Sequence, residues 1–594
     1  MKKKQNFLIM LFSYITYKDK KNIKEFYIPE VDEISKQQQD QKIKDEKDSV
    51  HKEKKSRATL KKPVSVAEEN EERKAEKKKA DDKTISTDIA QNIDYIKAKF
   101  NAPANKDIVF REFMIAGKYK AFITYLDGMV DKNIINNFIL RPLLNDEKFK
   151  DTNEGCQLDY IVQRVLETNQ IRTITNPTDA VYEILSGNTL LYTDGCDYYI
   201  TNETKGFPAR GVEKPVVEGV IQGAQEAFNE SLRTNVTLVR KIVKNPNLTT
   251  EFIKVGQKSQ LQCAIMYIDG LTNPAIIDEV KRRIDNLDID YSQGDGMLEQ
   301  LIEDNTFSII PTMLTTERPD RTASHLIEGR VAILVEGSPF SKIVPVTLYT
   351  LIHSTEDANM RWPFGTFLRL IRLLGIFFAT LLPAIYVAMT NFHQEMIPTD
   401  LLIAIAKAKE NVPFPTIVEV LLMEVSFELI REAGIRIPGV IGNTLGIIGA
   451  LILGQAAVQA NIVSPVLIIV VAITGLGNFA VPNVSLALGI RLLRFAFIIM
   501  GAFLGFYGLT AVFMITGMYL VSQKSFGVPF VAPVAPRTTR SSDLISRKPV
   551  WKQEKRSDGL NPIGIGRQPK VSRKWTQEDP NYSYSREGND DEGR

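Results

Sequence analysis

Residues 437–490 read IPGVIGNTLGIIGALILGQAAVQANIVSPVLIIVVAITGLGNFAVPNVSLALGI, 54 positions without one Asp, Glu, Lys or Arg. At about 1.5 Å per residue this run makes roughly 80 Å of helix, enough for two crossings of a hydrocarbon layer about 30 Å thick and a turn between them. No globular core needs such a stretch. It predicts that the last third of the chain is a membrane domain. The average composition, with 24% charged residues and a net charge of +3, hides this. The charge is crowded into positions 1–90 and 537–594.

Working outward, spans are expected at about 440–460 and 462–481. A first span at about 370–392 follows Arg361, Arg369 and Arg372, and a last one at about 495–521 follows Arg491 and Arg494. Pro383 should kink the first of these. The basic entry to the first span puts the preceding residues in the cytoplasm by the positive-inside rule. Gly442, Gly446, Ala450 and Gly454 recur every fourth position, a small-residue stripe that lets another helix approach closely. The segment 413–432 is apolar yet carries Glu419, Glu424, Glu428 and Arg431. Glu424 and Glu428 lie on one helical face with Arg431 near both, and Glu419 points elsewhere. Carboxylates at bilayer depth are costly, so they face a cavity, pair with Arg431 or mark an ion path; otherwise the helix lies in the interface. Gln455, Asn478 and Asn483 suit either a polar path or interhelical hydrogen bonding. Five spans would put the basic tail opposite the soluble region; four, with 413–432 re-entrant, keep both ends in the cytoplasm and are preferred here.

From about 92 to 345 strands alternate with amphipathic helices, and the sequence repeats. Ile123-Thr-Tyr-Leu-Asp127-Gly128 matches Ile265-Met-Tyr-Ile-Asp269-Gly270, and the segment ending Asp194-Gly195 matches the one ending Glu336-Gly337; both are displaced by 142 residues. Two motifs with one displacement imply two copies of one unit. The Asp-Gly and Glu-Gly pairs read as turns in which glycine supplies positive φ, with a ligand role for Asp127 or Asp269 the less favoured alternative. The expected class is multi-domain: a cytoplasmic α/β region of two duplicated subdomains (92–218 and 246–360), a helical connector (219–245), an α-helical polytopic membrane domain (361–523), and disordered charged tails (1–91 and 524–594). In the connector Glu226, Glu230 and Arg233 are spaced for one helical face.

Cys156, Cys196 and Cys263 have no metal or disulfide spacing, and the four histidines are unclustered. There is no GxGxxG, P-loop or nucleophile elbow, so no cofactor, metal or catalytic residue is expected. Acids interleaved with the Lys-rich amino-terminal segment argue against nucleic acid. The short apolar run Phe7 to Ile15 lacks a cleavage site and is not read as a signal peptide.

The motifs Glu230-Ser-Leu-Arg-Thr-Asn235, Glu317-Arg-Pro-Asp320, the segment 328–339 (EGRVAILVEGSP), Phe392-His-Gln-Glu-Met-Ile-Pro398, the segment 428–438 (ELIREAGIRIP) and Gly454-Gln-Ala-Ala-Val458 resemble the GerA family of spore germination receptor A subunits, over about 92–550. Glu336 stands where that family usually has Asp, and the Lys-rich tether is longer than in many members. The resemblance implies a receptor in the inner membrane of a bacterial spore, assembled with a transporter-like B subunit and a lipoprotein C subunit. It also implies self-association into a nutrient-gated channel for monovalent cations. The alternatives are a sporulation-stage paralogue that modulates other receptors or channels, a secondary transporter, and, least favoured, a membrane-tethered enzyme.

Overall fold

In a computed structural model, the residues described are 85–145, 158–168, 170–206, 214–436, 452–537 and 543–568. The soluble region is two five-stranded sheets. The first contains β1 (Ile108–Ile115), β2 (Tyr119–Leu126), β3 (Ile171–Ile174), β4 (Thr189–Thr193) and β5 (Tyr199–Asn202) in the order β1-β2-β4-β5-β3. The second contains β6 (Leu248–Val255), β7 (Leu261–Ile268), β8 (Leu314–Thr316), β9 (Val331–Val335) and β10 (Ser341–Val344) in the equivalent order β6-β7-β9-β10-β8. Every pairing is antiparallel. The crevice of a parallel sheet, which would have suited a ligand at Asp127 or Asp269, is therefore absent from these sheets.

The 142-residue displacement holds for whole elements: β2 and β7, β4 and β9, and β5 and β10 each start 142 residues apart. So do α2 (Pro177–Leu185) and its counterpart Pro319–Ile327. Gly128, Gly195, Gly270 and Gly337 all have positive φ, between 73° and 87°.

The expected helical connector is corrected. Residues 214–231 hold no helix; α3 (Leu232–Ile242) matches α1 (Ile89–Lys99), 143 residues earlier, and is the first helix of the second copy. Glu226 and Glu230 precede α3, so they share no helical face with Arg233. Ser231 caps α3 and Asp88 caps α1, each accepting from a backbone N–H of the first turn. The turn carboxylates add to this. Asp194 Oδ1 accepts from Ile89 N (3.1 Å), and Glu336 Oε2 accepts from Leu232 N (3.2 Å). Each places negative charge at the positive end of a helix.

Alternation along β7 divides the second core. Cys263 and Ile265 face α4 (Pro274–Asp285) through Ile276, Val280 and Ile284. Ala264 and Met266 face α3 and α6 (Pro319–Ile327), with α5 (Asp295–Ile302) lying between these helices in sequence, and this second face continues into Ala379, Leu486 and Ile490 of the helical bundle. The copies are joined by Arg240 of α3, 2% exposed, whose Nη2 donates to Asp107 Oδ1 (2.7 Å), Asn105 Oδ1 (3.0 Å) and Leu248 O (2.8 Å). Asp127 pairs with Lys132 and with Arg233 of α3, and Asp269 accepts from Asn101 Nδ2 at 3.1 Å. The two turn aspartates thus contact the opposite copy.

The bundle holds α7 (Trp362–Phe392), α8 (Thr399–Lys409), α9 (Thr416–Arg436), a helical stretch at 452–459, α10 (Pro465–Phe479) and α11 (Val484–Ser522). Only α7 and α11, among the described residues, are long and apolar enough to cross a membrane by length and composition. The expected span at 462–481 is a helix of 15 residues, about 22 Å, short of the hydrocarbon thickness. The expected single span at 495–521 is corrected more deeply. Gly505 has φ 59° and ψ −139°, and α11 reverses there into two arms. Gly489 of the first arm and Tyr519 of the second both meet Ile309 of subdomain 2, while Gly505 lies against His393 at the far end of α7. A side chain at 505 would be 2.8 Å from the His393 ring, so both conformation and space require glycine.

The carboxyl-terminal tail, expected to be disordered, is docked over 524–537 and 543–568. Strands β11 (Lys524–Ser525) and β12 (Val528–Pro529) form a hairpin, Phe526 enters the second core, and Phe530 O accepts from Leu348 N at 2.8 Å. Cys263 is a buried thiol, but Cys196 is disulfide-bonded, against the expectation of isolated cysteines.

Candidate functional site

The charges of 413–432 converge on the middle of the bundle. Glu424 is 2% exposed, and its Oε2 lies 2.6 Å from Arg494 Nη1 on the first arm of α11. Glu428, one turn further, pairs with Arg431 and lies 3.2 Å from Arg491 Nη1. Glu419, on the other side of α9, accepts from Ser464 N (3.0 Å) at the start of α10 and pairs with Lys409 of α8 at 3.4 Å. The sequence pattern correctly puts Glu424 and Glu428 on one face, but the partner expected for both, Arg431, serves only Glu428. Arg491 and Arg494 supply the rest. They had read as flanking charges; their three-residue spacing, matching the four-residue spacing of the two acids, is the signal that could have found them.

Three carboxylates therefore meet four cations: Lys409, Arg431, Arg491 and Arg494. The pairing is incomplete. Glu424 Oε1, Arg494 Nε and Asn478 Oδ1 are buried without a hydrogen-bond partner among the described residues. Charges removed from water this way lose several kcal/mol of solvation each and recover it only through their mates, so separating a pair is costly. Gln455 is exposed, away from this seam.

The small-residue stripe falls largely outside the described residues: Gly442, Gly446 and Ala450 are not among them, and Gly454 packs on the Ile468 side chain. The close helix crossing observed is another one, Gly375 and Ala379 of α7 against Gly477 of α10, where a side chain at 477 would meet Gly375 O at 2.5 Å.

A second cluster lies where α7 meets subdomain 2. Asp357 pairs with Arg372 (2.6 Å) and Arg369 (3.3 Å), and Arg369 also holds Asp543 of the tail (2.6 Å). Burial disfavours the Asp357 carboxylate, but the bond from Arg372 and the charge of Arg369 outweigh it and hold its pKa below the ordinary value. Arg547 inserts its guanidinium among the carbonyls of Asp357, Ala358 and Met360. His353 Nε2 meets Leu544 O at 2.6 Å, and burial, with Arg369 beside it, pushes the imidazole down to about 4. No group of three or more metal-ligating side chains occurs among the described residues.

Comparison with known proteins places these features in a family. The profile described as Bacillus/Clostridium GerA spore germination protein matches residues 94–558. Spore germination protein KA of Bacillus subtilis is 40% identical over 492 residues, 82% of this chain and 90% of that protein. Spore germination protein A1 of the same organism is 38% identical, over 77% and 93% of the two chains. The Bacillus subtilis protein named Uncharacterized membrane protein YfkQ is 36% identical, over 80% and 92%. Among solved structures, the N-terminal domain of the A subunit of the Bacillus megaterium spore germinant receptor GerK3 is 32% identical, covering 44% of this chain and 96% of that one, with a TM-score of 0.36. The family assignment rests on the sequence matches.

Proposed function

This chain belongs to the GerA family of spore germination proteins, and from that premise we propose that it is the membrane A subunit of a nutrient germinant receptor. In this reading the bundle is polytopic in the inner membrane of the spore, the two sheets lie in the core cytoplasm, and the subunit self-associates around a path for monovalent cations. A transporter-like B subunit and a lipoprotein C subunit complete the receptor. The reversal at Gly505 supports two crossings within α11, one for each arm, with α7 a further one. Both arms meet Ile309 of subdomain 2, so the tail leaves the bundle on the side where it docks, which keeps both ends on one side as the four-span expectation had them.

The observation that carries the mechanism is the pairing of Glu424 with Arg494 inside an apolar bundle. Bare carboxylates would concentrate cations; paired ones instead tie α9 to α11. Nutrient binding in a partner that separates these helices would expose Glu424 and Glu428 to the path, so the pairs act as a closed-state clasp. The test is cation release from spores after nutrient addition. Glu424→Gln and Glu428→Gln together should undo the clasp, so that cations leak before nutrient is added and the nutrient-triggered release is reduced, and Glu424→Arg combined with Arg494→Glu should restore part of the nutrient dependence. Unchanged release at normal protein levels in the first variant removes the acids from the mechanism.

A second reading, a paralogue that modulates other receptors, draws on the likeness to YfkQ, whose name assigns no germination role and which is 36% identical against 40% for spore germination protein KA. Spores lacking the gene discriminate: loss of response to one nutrient class supports a receptor, and altered response to several supports a modulator.

A further inference from the structure

Subdomain 1 carries a cleft of about 460 Å³ between β1 and the stretch 132–145, lined by Arg111, Asn136, Leu140, Arg141, Leu144 and Asn145. Its size is that of a small-molecule site, for which volumes run from about 300 to 1,000 Å³. The sequence shapes the helical wall. That wall is α-helical over Lys132–Ile134, π-helical over Ile135–Leu140 and α-helical again over Arg141–Leu143. Pro142 has no N–H, and its ring crowds the carbonyl four residues earlier, so a regular α-turn cannot close there. The widened turn closes through Arg141 N, which donates to Asn136 O across a five-residue step. In an α-helix such a pair would stand about 140° apart around the axis. The extra residue in the turn narrows that angle and lets both side chains line one cleft. Single π-turns are rare and gather at functional sites.

Charge gives the second argument. Arg111 and Arg141 are exposed, and among the described residues no carboxylate pairs with either; the Asn136 carboxamide is likewise free. Two unneutralised guanidiniums lining one cleft repel each other, and an anion between them relieves this. Subdomain 2 shows the same crossing neutralised from within. Arg111 lies opposite Ile123 in the first sheet; opposite the equivalent Ile265 in the second lies Glu251, which pairs with Lys281 of α4 at 2.7 Å. Arg282 and Arg283 of α4 are both bound to Glu279, and α4 is α-helical throughout. One copy is closed by internal ion pairs, and the other is left open and cationic.

We propose that this cleft binds a small organic phosphate, its dianion held by Arg111 and Arg141 and its carbon skeleton lying on Leu140 and Leu144. The planar guanidinium fork matches phosphate oxygens in a bidentate manner. A phosphate monoester carries a charge of about −1.5 to −2 at pH 7, close to that of the arginine pair reversed. The apolar wall and the volume exceed what a bare ion would use. The site lies wholly within subdomain 1 and stands independently of how the bundle crosses the membrane.

Titration calorimetry of the full, detergent-solubilised chain with phenyl phosphate tests this. The wild type should bind one equivalent, more tightly than it binds inorganic phosphate. Arg111→Gln and Arg141→Gln should each weaken phenyl phosphate at least about tenfold, the loss of one charge-assisted contact. Asn136→Asp, which supplies a carboxylate from within as subdomain 2 does, should abolish binding while the ligand-free unfolding midpoint is held or raised, so that the loss is not one of folding. Lys258→Gln, which removes an exposed charge from subdomain 2, should change nothing. Absence of binding to the wild type, or equal weakening by Lys258→Gln, overturns the site. Inorganic phosphate bound as tightly as phenyl phosphate overturns the organic ligand, and succinate bound more tightly than either assigns the cleft to a dicarboxylate and overturns the phosphate.

Discussion

Subdomain 1 and subdomain 2 share strand order, helix positions and turn chemistry, but they close their cores differently. Among the described residues, the core of subdomain 1 is built from residues 85–200, around Phe122, Tyr192 and Tyr199. Subdomain 2 borrows: Ala379, Val481 and Leu486 from the bundle, and Phe526 and Phe530 from the tail, complete its two faces. One duplicated unit has thus remained a self-contained domain while the other has become a coupling piece between the helical bundle and the rest of the sheet region. A movement of α11 reaches subdomain 2 through shared packing, and reaches subdomain 1 across the contacts between the copies, of which Arg240 with Asp107 is the most buried.

That difference can be broken at graded cost, as follows. Arg240→Met leaves Asp107 buried and unpaired and should destabilise the junction by about 3 to 5 kcal/mol, read as loss of coupled unfolding of the two subdomains in denaturant titration of the detergent-solubilised chain. Phe526→Ala should cost about 3 kcal/mol and expose amides of β7 and β9 to hydrogen exchange while those of β2 and β4 stay protected. An effect spread equally over both sheets would contradict the asymmetry.

Acidification should act on subdomain 2 in the same direction. The folded pKa of His353, about 4, lies below its unfolded value of about 6.5, so the unfolded chain takes up the proton first. The stability is full above pH 6.5 and is lost as pH falls from there towards 4. Between pH 7 and 5.5 the loss should be about 1 kcal/mol, seen as proteolytic release of 543–548 and flattened in His353→Gln. The smallest effects sharpen the comparison by their symmetry: Asp194→Ala and Glu336→Ala should each cost about 0.5 to 1 kcal/mol in their own subdomain, measured as a lowered unfolding midpoint.

The duplication was legible because Asp127-Gly128 and Asp269-Gly270 are turns, where chemistry constrains residue type tightly. The role of α3 was not, since α1 and α3 share little besides Asn92 and Asn235; amphipathic helices need only a pattern, which sequence can vary freely. In the bundle the face shared by Glu424 and Glu428 could be read from spacing, but a partner on another helix could not, and Arg491 and Arg494 resembled ordinary flanks. Gly505 was hidden because glycine is tolerated within an apolar helix and carries no mark of reversal. The tail misled for a different reason. Arg547 and Arg556 hold it by donating to main-chain carbonyls, and such anchors leave no hydrophobic periodicity.

The borrowed residues also set an order of manufacture. Phe526 N and Ser525 Oγ close onto Asp304 and Thr312 across sequence separations of 222 and 213 residues, with the entire bundle translated in between. Because domains otherwise mature as they leave the ribosome, subdomain 2 must wait with an open core until the last helix has been inserted. A truncated polypeptide never receives that closing piece, which leaves its open core conspicuous to quality-control proteases.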